Sequence, residues 1–208
     1  SGLDISTIKS LPPNRTPIIT TTLPNNRRDA LINRIKSAIN KNSQVYWVCP
    51  LIDESESELI GIEDLEKILK KEFDSQDYEI IHGKMKDMDK QKILSDFKEK
   101  KTKILLATTV IEVGIDVPDA NIMVIENSER FGLAQLHQLR GRVGRGEKES
   151  FCILMHNDSL TELPEKRLQI ITETNDGFVI AEEDLKLRGP GDIPVSYTHL
   201  TLPTRCLG

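Results

Sequence analysis

The chain has little with which to staple or anchor itself. Its 208 residues include three cysteines, Cys49, Cys152 and Cys206, odd in number and far apart. There is no C-x-x-C pair and no histidine at metal-ligand spacing. A disulfide framework and a bound metal are therefore not expected, and free thiols in a reducing cytoplasm are. Apolar runs are strand-sized, far below the ~20 residues that span a bilayer, so no membrane association is expected. Residues 1–10 lack the shape of a signal peptide. Positive charge is also in short supply: 28 Lys and Arg stand against 33 Asp and Glu, a net charge of −5. Any affinity for nucleic acid must then come from a few placed cations and backbone amides. Also missing is G-x-x-x-x-G-K-[ST], the loop whose backbone cradles the β- and γ-phosphates of a nucleotide.

What is present is an ordinary globular balance, 38% hydrophobic and 29% charged, in a chain long enough for one well-buried core plus an appendage. Residues 1–16 carry Leu11-Pro12-Pro13-Asn14-Arg15, where paired prolines favour extended backbone, so an incoming linker is predicted there. Strands are predicted over 17–23, 44–49, 78–81, 103–108, 121–126 and 150–155 from short apolar, β-branched runs. Between them, helical spacing predicts helices over 27–40, 62–73, 87–97 and 132–139. In the third of these Met88, Ile93, Leu94 and Phe97 are read as the apolar side. Strand–helix alternation with apolar strands predicts a three-layer α/β/α domain, mainly parallel, over 17–157, with chemistry in the loops after the strands. Beyond it, 160–174 and 178–187 read as a helical hairpin broken at Asn175-Asp176-Gly177, with an amphipathic second helix.

The most informative segment is Gln135-Leu136-His137-Gln138-Leu139-Arg140-Gly141-Arg142-Val143-Gly144-Arg145-Gly146. Glycines let a backbone approach a ligand closely, and guanidinium forks bind phosphate oxygens bidentately. A solvated basic loop is the plain alternative for R-x-x-R alone, but here Gln138 adds the longer pattern Q-x-x-G-R-x-G-R. That pattern resembles motif VI of superfamily 2 helicases. The apolar strand ending Ala107-Thr108-Thr109, followed by Val110–Pro118 with Gly114 and Asp116, resembles their motif V, and the region from Gln44 resembles motif IV. Asp176–Asp192, ending Arg188-Gly189-Pro190-Gly191-Asp192, resembles the translocation motif shared by the RecG branch-migration helicases and the transcription-repair coupling factor, with wording closer to RecG.

The resemblance covers residues 3–193 and implies the second, C-terminal RecA-like lobe of an ATP-driven translocase, followed by a translocation hairpin over 158–193. It implies that Arg142 and Arg145 act catalytically on the phosphates of ATP-Mg2+ held by another lobe. Gly114, Asp116 and Gln138 would then lie near the nucleotide. It implies that Thr108 meets the DNA backbone and that Arg188 takes part in coupling. Independently of the resemblance, Gly83, Lys84 and Lys86, in a loop before a helix start, are candidates for a phosphate, while His82 reads as a hydrogen-bonding residue rather than a base. The implied partners are branched or duplex DNA and the protein's own first lobe and wedge domain.

Two departures stand out. Val48-Cys49-Pro50-Leu51-Ile52-Asp53-Glu54 mimics a magnesium-binding strand end, but Pro50 interrupts it and no lysine loop accompanies it. Residues 194–208 fit neither the family nor the preceding pattern and read as a non-native, poorly ordered tail. Alone, the chain is not expected to hydrolyse ATP. The competing readings are a lobe of a transcription-repair coupling factor and a non-enzymatic DNA- or protein-binding module.

Overall fold

A computed structural model of the chain describes residues 17–50, 58–108, 120–144 and 146–189. The predicted linker over 1–16, the body of the motif V loop and the tail beyond 189 lie outside the described residues. Alternation along the strand Val45–Cys49 (β2) sends Val45, Trp47 and Cys49 to one face and Tyr46 and Val48 to the other. Both faces are buried. The same holds for Ile104–Thr108 (β4) and Ile122–Ile125 (β5), which flank β2 in register: Val45 lies opposite Ile104 on one side and Ile122 on the other. Tyr78–Ile81 (β3) extends the sheet beyond β4, while Ser150–His156 (β6) and Ile18–Pro24 (β1) extend it beyond β5. The result is a six-stranded sheet in the order β1-β6-β5-β2-β4-β3, with every pairing parallel.

Parallel pairing requires crossovers, and helices supply them. Arg28–Asn40 (α1) buries Leu31, Ile32 and Ile35, and Glu58–Glu72 (α2) buries Ile62, Leu65 and Leu69, all against the face that carries Trp47. Against the other face lie Asp87–Lys98 (α3), Leu133–Arg140 (α4), Glu162–Glu173 (α5) and Gly177–Arg188 (α6). Leu168, Ile171 and Ile180 of the last two helices enter that core directly. Burying each such side chain contributes about 1.5–3 kcal/mol, so these three residues hold the hairpin to the sheet.

Two expectations of facing need correction. Met88 is 83% exposed rather than part of the apolar side of α3. At 100° per residue it points roughly 180° away from Phe97, which is buried with Ile93; Met85, before the helix, packs on the core in its place. In α6, Ile180 and Leu187 face the core, whereas Phe178, Val179 and Leu185 are exposed. Its apolar residues encircle the helix instead of sharing one face.

Candidate functional site

Parallel strands bring all their carboxyl ends to one edge, and two of the candidate segments meet there. Thr108 ends β4 opposite Cys49 of β2, and on its other side Ala107 pairs with Ile81 of β3, which places His82 and Gly83 next along the edge. The Thr108 side chain is buried, and its hydroxyl has no hydrogen-bond partner among the described residues. A buried hydroxyl without a partner costs about 1–3 kcal/mol. Beside it, His82 Nδ1 accepts a hydrogen bond from the Lys84 amide at 3.3 Å, and Lys90 Nζ donates to the Gly83 carbonyl at 2.9 Å. That loop therefore holds its own shape, with Lys84 and Lys86 exposed at its rim. Asp87 and Asp89 occupy the first turn of α3, so the helix's positive end is already met by carboxylates. The lysines, rather than the helix amides, are the groups free to meet an anion.

The arginine segment lies at the opposite edge, which the general rule for loops in parallel sheets does not predict. Helix α4 runs back along the sheet, so Gly141–Glu149 leads into the amino end of β6. Gly144 donates its amide to the Ala120 carbonyl, just ahead of β5, at 3.1 Å. Gly144 has φ +81°, and a Cβ there would stand 3.0 Å from Ser150 and 3.1 Å from Ile18. Only glycine fits both the conformation and the space. The start of α4 is fixed by Gln135, whose Oε1 accepts the Gly132 amide at 3.0 Å.

The neighbouring arginines have divergent roles. Arg140 is 3% exposed. It donates to Ile171 O at 2.6 Å, Thr174 O at 2.9 Å and Thr20 Oγ1 at 3.1 Å, and its Nη2 lies 3.3 Å from His137 Nδ1. It thus satisfies the carbonyls left over at the end of α5 and favours the negative end of that helix. Burial pulls its guanidinium below the ordinary arginine range, and no carboxylate pairs with it among the described residues. Arg142, two residues on, is half-buried, and no hydrogen bond or ion pair holds its guanidinium among the described residues. Gln138 is exposed on α4. Arg145, Gly114 and Asp116 lie outside the described residues. Arg188 is paired with Asp184 at 3.2 Å within α6.

Sequence reasoning did not single out Arg140, although the signal was there: it follows Leu133 and Leu136 at i+7 and i+4, on the buried face of α4. It also passed over Glu126, directly after β5. Both carboxylate oxygens of Glu126 take the Arg28 guanidinium, Nη2 to Oε2 at 2.7 Å, and Trp47 Nε1 donates to Oε1 at 3.1 Å. The Arg28–Glu126 hydrogen bond outweighs the opposing effect of burial and holds the Arg28 pKa above its ordinary value. The start of α6 is seated against α4: Asp176 accepts the Phe178 amide at 2.9 Å, and a Cβ on Gly177 would come within 3.2 Å of His137 Nε2.

Comparison with known proteins places this arrangement. Residues 18–147 match the model of the helicase conserved C-terminal domain. Over 195 residues the chain is 51% identical to the ATP-dependent DNA helicase RecG of Pasteurella multocida (strain Pm70) and 49% identical to that of Escherichia coli (strain K12). Each match covers 93% of this chain and 28% of the relative, so the chain spans little more than a quarter of those proteins. A solved structure of RecG bound to a three-way DNA junction is similar at TM-score 0.72 and 40% identity, over 93% of this chain and 26% of that one. The C-terminal domain of the DEAD-box protein Dbp5 shares the fold at TM-score 0.53 and 17% identity, over 83% of this chain and 97% of that one.

Proposed function

Since the chain belongs to the helicase conserved C-terminal domain family, we propose that it is the second motor lobe of a RecG-like, ATP-dependent translocase acting on branched duplex DNA in the cytoplasm. The reading divides the chain into an incoming linker (1–16), the RecA-like lobe (17–157), the translocation hairpin (158–193) and a tail outside the family pattern (194–208). The nucleotide, with Mg2+, would be gripped by the first lobe and would supply the phosphoryl-transfer step that drives motion. This lobe's share would be electrostatic: Arg142 and Arg145 would reach the phosphates, with Gln138, Gly114 and Asp116 contributing near the nucleotide. A guanidinium fork fits a phosphate that develops charge during transfer.

The observation that carries the reading is the split between the two arginines flanking Gly141. Arg140 is committed to carbonyls inside the lobe, while the neighbouring Arg142 has no internal partner among the described residues. At the carboxyl edge, Thr108 with its unpartnered hydroxyl, Gly83, Lys84 and Lys86 would follow the DNA backbone, with Arg188 near the hairpin's end. Phosphate contacts carry no base information, so binding would be independent of sequence.

The test is Arg142→Ala in the full-length protein. DNA-stimulated phosphate release should fall by roughly 10³-fold or more, with the melting profile unchanged. Wild-type turnover in this variant would refute the assignment.

A further inference from the structure

Strand β1 is an outermost strand of the sheet. It pairs with β6 on one side, and no other described strand meets its free edge. Each residue carries one N–H and one C=O, and along a parallel strand these turn alternately to either side. About half of those in Ile18–Pro24 therefore face outward. Native edges are blunted by charged side chains, bulges or prolines within the strand. Here Ile18-Ile19-Thr20-Thr21-Thr22-Leu23-Pro24 carries no charge, and its proline comes only at the last position. Register with β6 is unbroken over the whole strand, so no bulge turns it away.

A groove runs beside this edge. By alternation Ile19, Thr21 and Leu23 share one face of β1, while Thr20 turns to the other, where its hydroxyl accepts Arg140. On the first face a half-open groove of about 210 Å³ lies between β1 and α1, floored by Thr21, Leu23, Ala30 and Ile153. Ile19, 41% exposed, continues the apolar strip along the strand. Arg27 and Arg34 stand at the rim, and no carboxylate lines the groove among the described residues. Both arginines are exposed, and neither has a hydrogen bond or ion pair among the described residues. Arg28, by contrast, is spent on Glu126. The groove thus joins an unpaired strand edge, an apolar floor and two uncommitted guanidiniums.

We propose that this edge and groove are a docking site for an extended peptide segment of a protein partner, added to the sheet as a further strand beside β1. Main-chain hydrogen bonds to a strand edge give such docking its affinity, and a side-chain pocket gives its selectivity. Spacing fixes the pattern of the segment. Arg27 and Arg34 are two helical turns apart, about 10 Å, while same-face side chains of a strand recur about every 6.7 Å. An apolar residue seated between β1 and α1 therefore has same-face neighbours about 13 Å apart, within reach of the two arginines for side chains as long as glutamate. The partner segment reads acidic-x-apolar-x-acidic. A nucleic-acid backbone suits the guanidiniums but leaves the apolar floor and the strand edge unused. A second copy of β1 suits the edge but brings no carboxylate to the arginines. None of the residues given a part in the motor takes part here.

The probe is the capped peptide acetyl-Glu-Thr-Val-Thr-Glu-amide, titrated into the ¹⁵N-labelled chain. Expected are saturating amide shifts along β1 and the first half of α1, with a Kd of about 1 mM, and slowed hydrogen exchange at alternate amides of β1. The peptide acetyl-Thr-Glu-Val-Glu-Thr-amide has the same composition but turns its carboxylates to the opposite face from its valine, and should bind about fivefold more weakly or worse. Arg27→Gln/Arg34→Gln should weaken the first peptide by about the same factor, with the variant's remaining spectrum unchanged. The site is overturned by any of these results: no saturating shift, equal binding of the two peptides, undiminished binding in the double variant, or shifts without slowed exchange in β1. It is equally overturned if a short thymidine oligonucleotide shifts the same amides as strongly, or if the free chain sediments as a dimer with its β1 amides already protected.

Discussion

Two arginines separated by one glycine show how much a single side chain's surroundings decide. Removing the Arg140 guanidinium would leave Ile171 O, Thr174 O and the Thr20 hydroxyl to find other partners. Arg140→Met should therefore destabilise the chain by about 2–4 kcal/mol, whereas Arg142→Ala should change stability by no more than about 0.5 kcal/mol. Urea melts of the two variants check this, and equal losses would remove the distinction. The pattern Q-x-x-G-R-x-G-R made the segment legible, but not this division of labour, because acceptor carbonyls 31 and 34 residues later leave no mark on the local sequence. The cysteines make a second case. Burial pushes the Cys49 and Cys152 thiols up to about 12 from an ordinary 9.0, with the Glu126 carboxylate adding to the effect at Cys49. The folded chain thus keeps protons that the unfolded chain sheds above pH 9. The stability tied to them is fully present below that pH and is lost as pH rises toward 12. Both thiols should resist a thiol reagent at pH 8 in the folded chain and react promptly in urea; fast labelling of the native protein would contradict this.

Among the elements, the strands were read most securely and the helix faces least. Uninterrupted apolar runs such as Val45–Cys49 have one explanation, burial on both sides, and each of the six strands lies within one residue of a run predicted for it. Met88, and the reading of α6 as amphipathic, misled because apolar character was read without its angle around the helix. No local rule announces that the arginine segment sits at the amino edge: that follows from α4 being too short to do more than run back across the sheet once. The turn it makes there depends on Gly144. Gly144→Ala would combine a left-handed conformation with contacts of 3.0–3.1 Å to Ser150 and Ile18. The expected cost is about 2 kcal/mol or more, accompanied by amide shift changes from Gly141 to Ser150. A variant with unchanged stability would mean that this turn does not set the position of Arg142.

For the molecule as a whole, charge and geometry pull in different directions. A net charge of −5 repels DNA at long range, while the candidate contacts gather at the carboxyl edge around Thr108, Lys84 and Lys86. Arg188 is occupied by Asp184, which leaves two free cations to displace counterions. Each neutralised phosphate contributes about −0.9 to the slope of log K against log salt on duplex DNA. The chain should therefore bind duplex or branched DNA weakly, without sequence preference, with a slope near −2. Fluorescence anisotropy across a salt series gives that slope directly. Lys84→Gln/Lys86→Gln should flatten it toward zero, whereas substitutions at Lys100 and Lys148, on the opposite edge, should leave it alone. Added ATP should not alter the affinity, because the sequence carries no G-x-x-x-x-G-K-[ST] with which to cradle the β- and γ-phosphates. A slope unchanged by the Lys84 and Lys86 substitutions would move the DNA path away from the carboxyl edge, and with it the role given to Thr108.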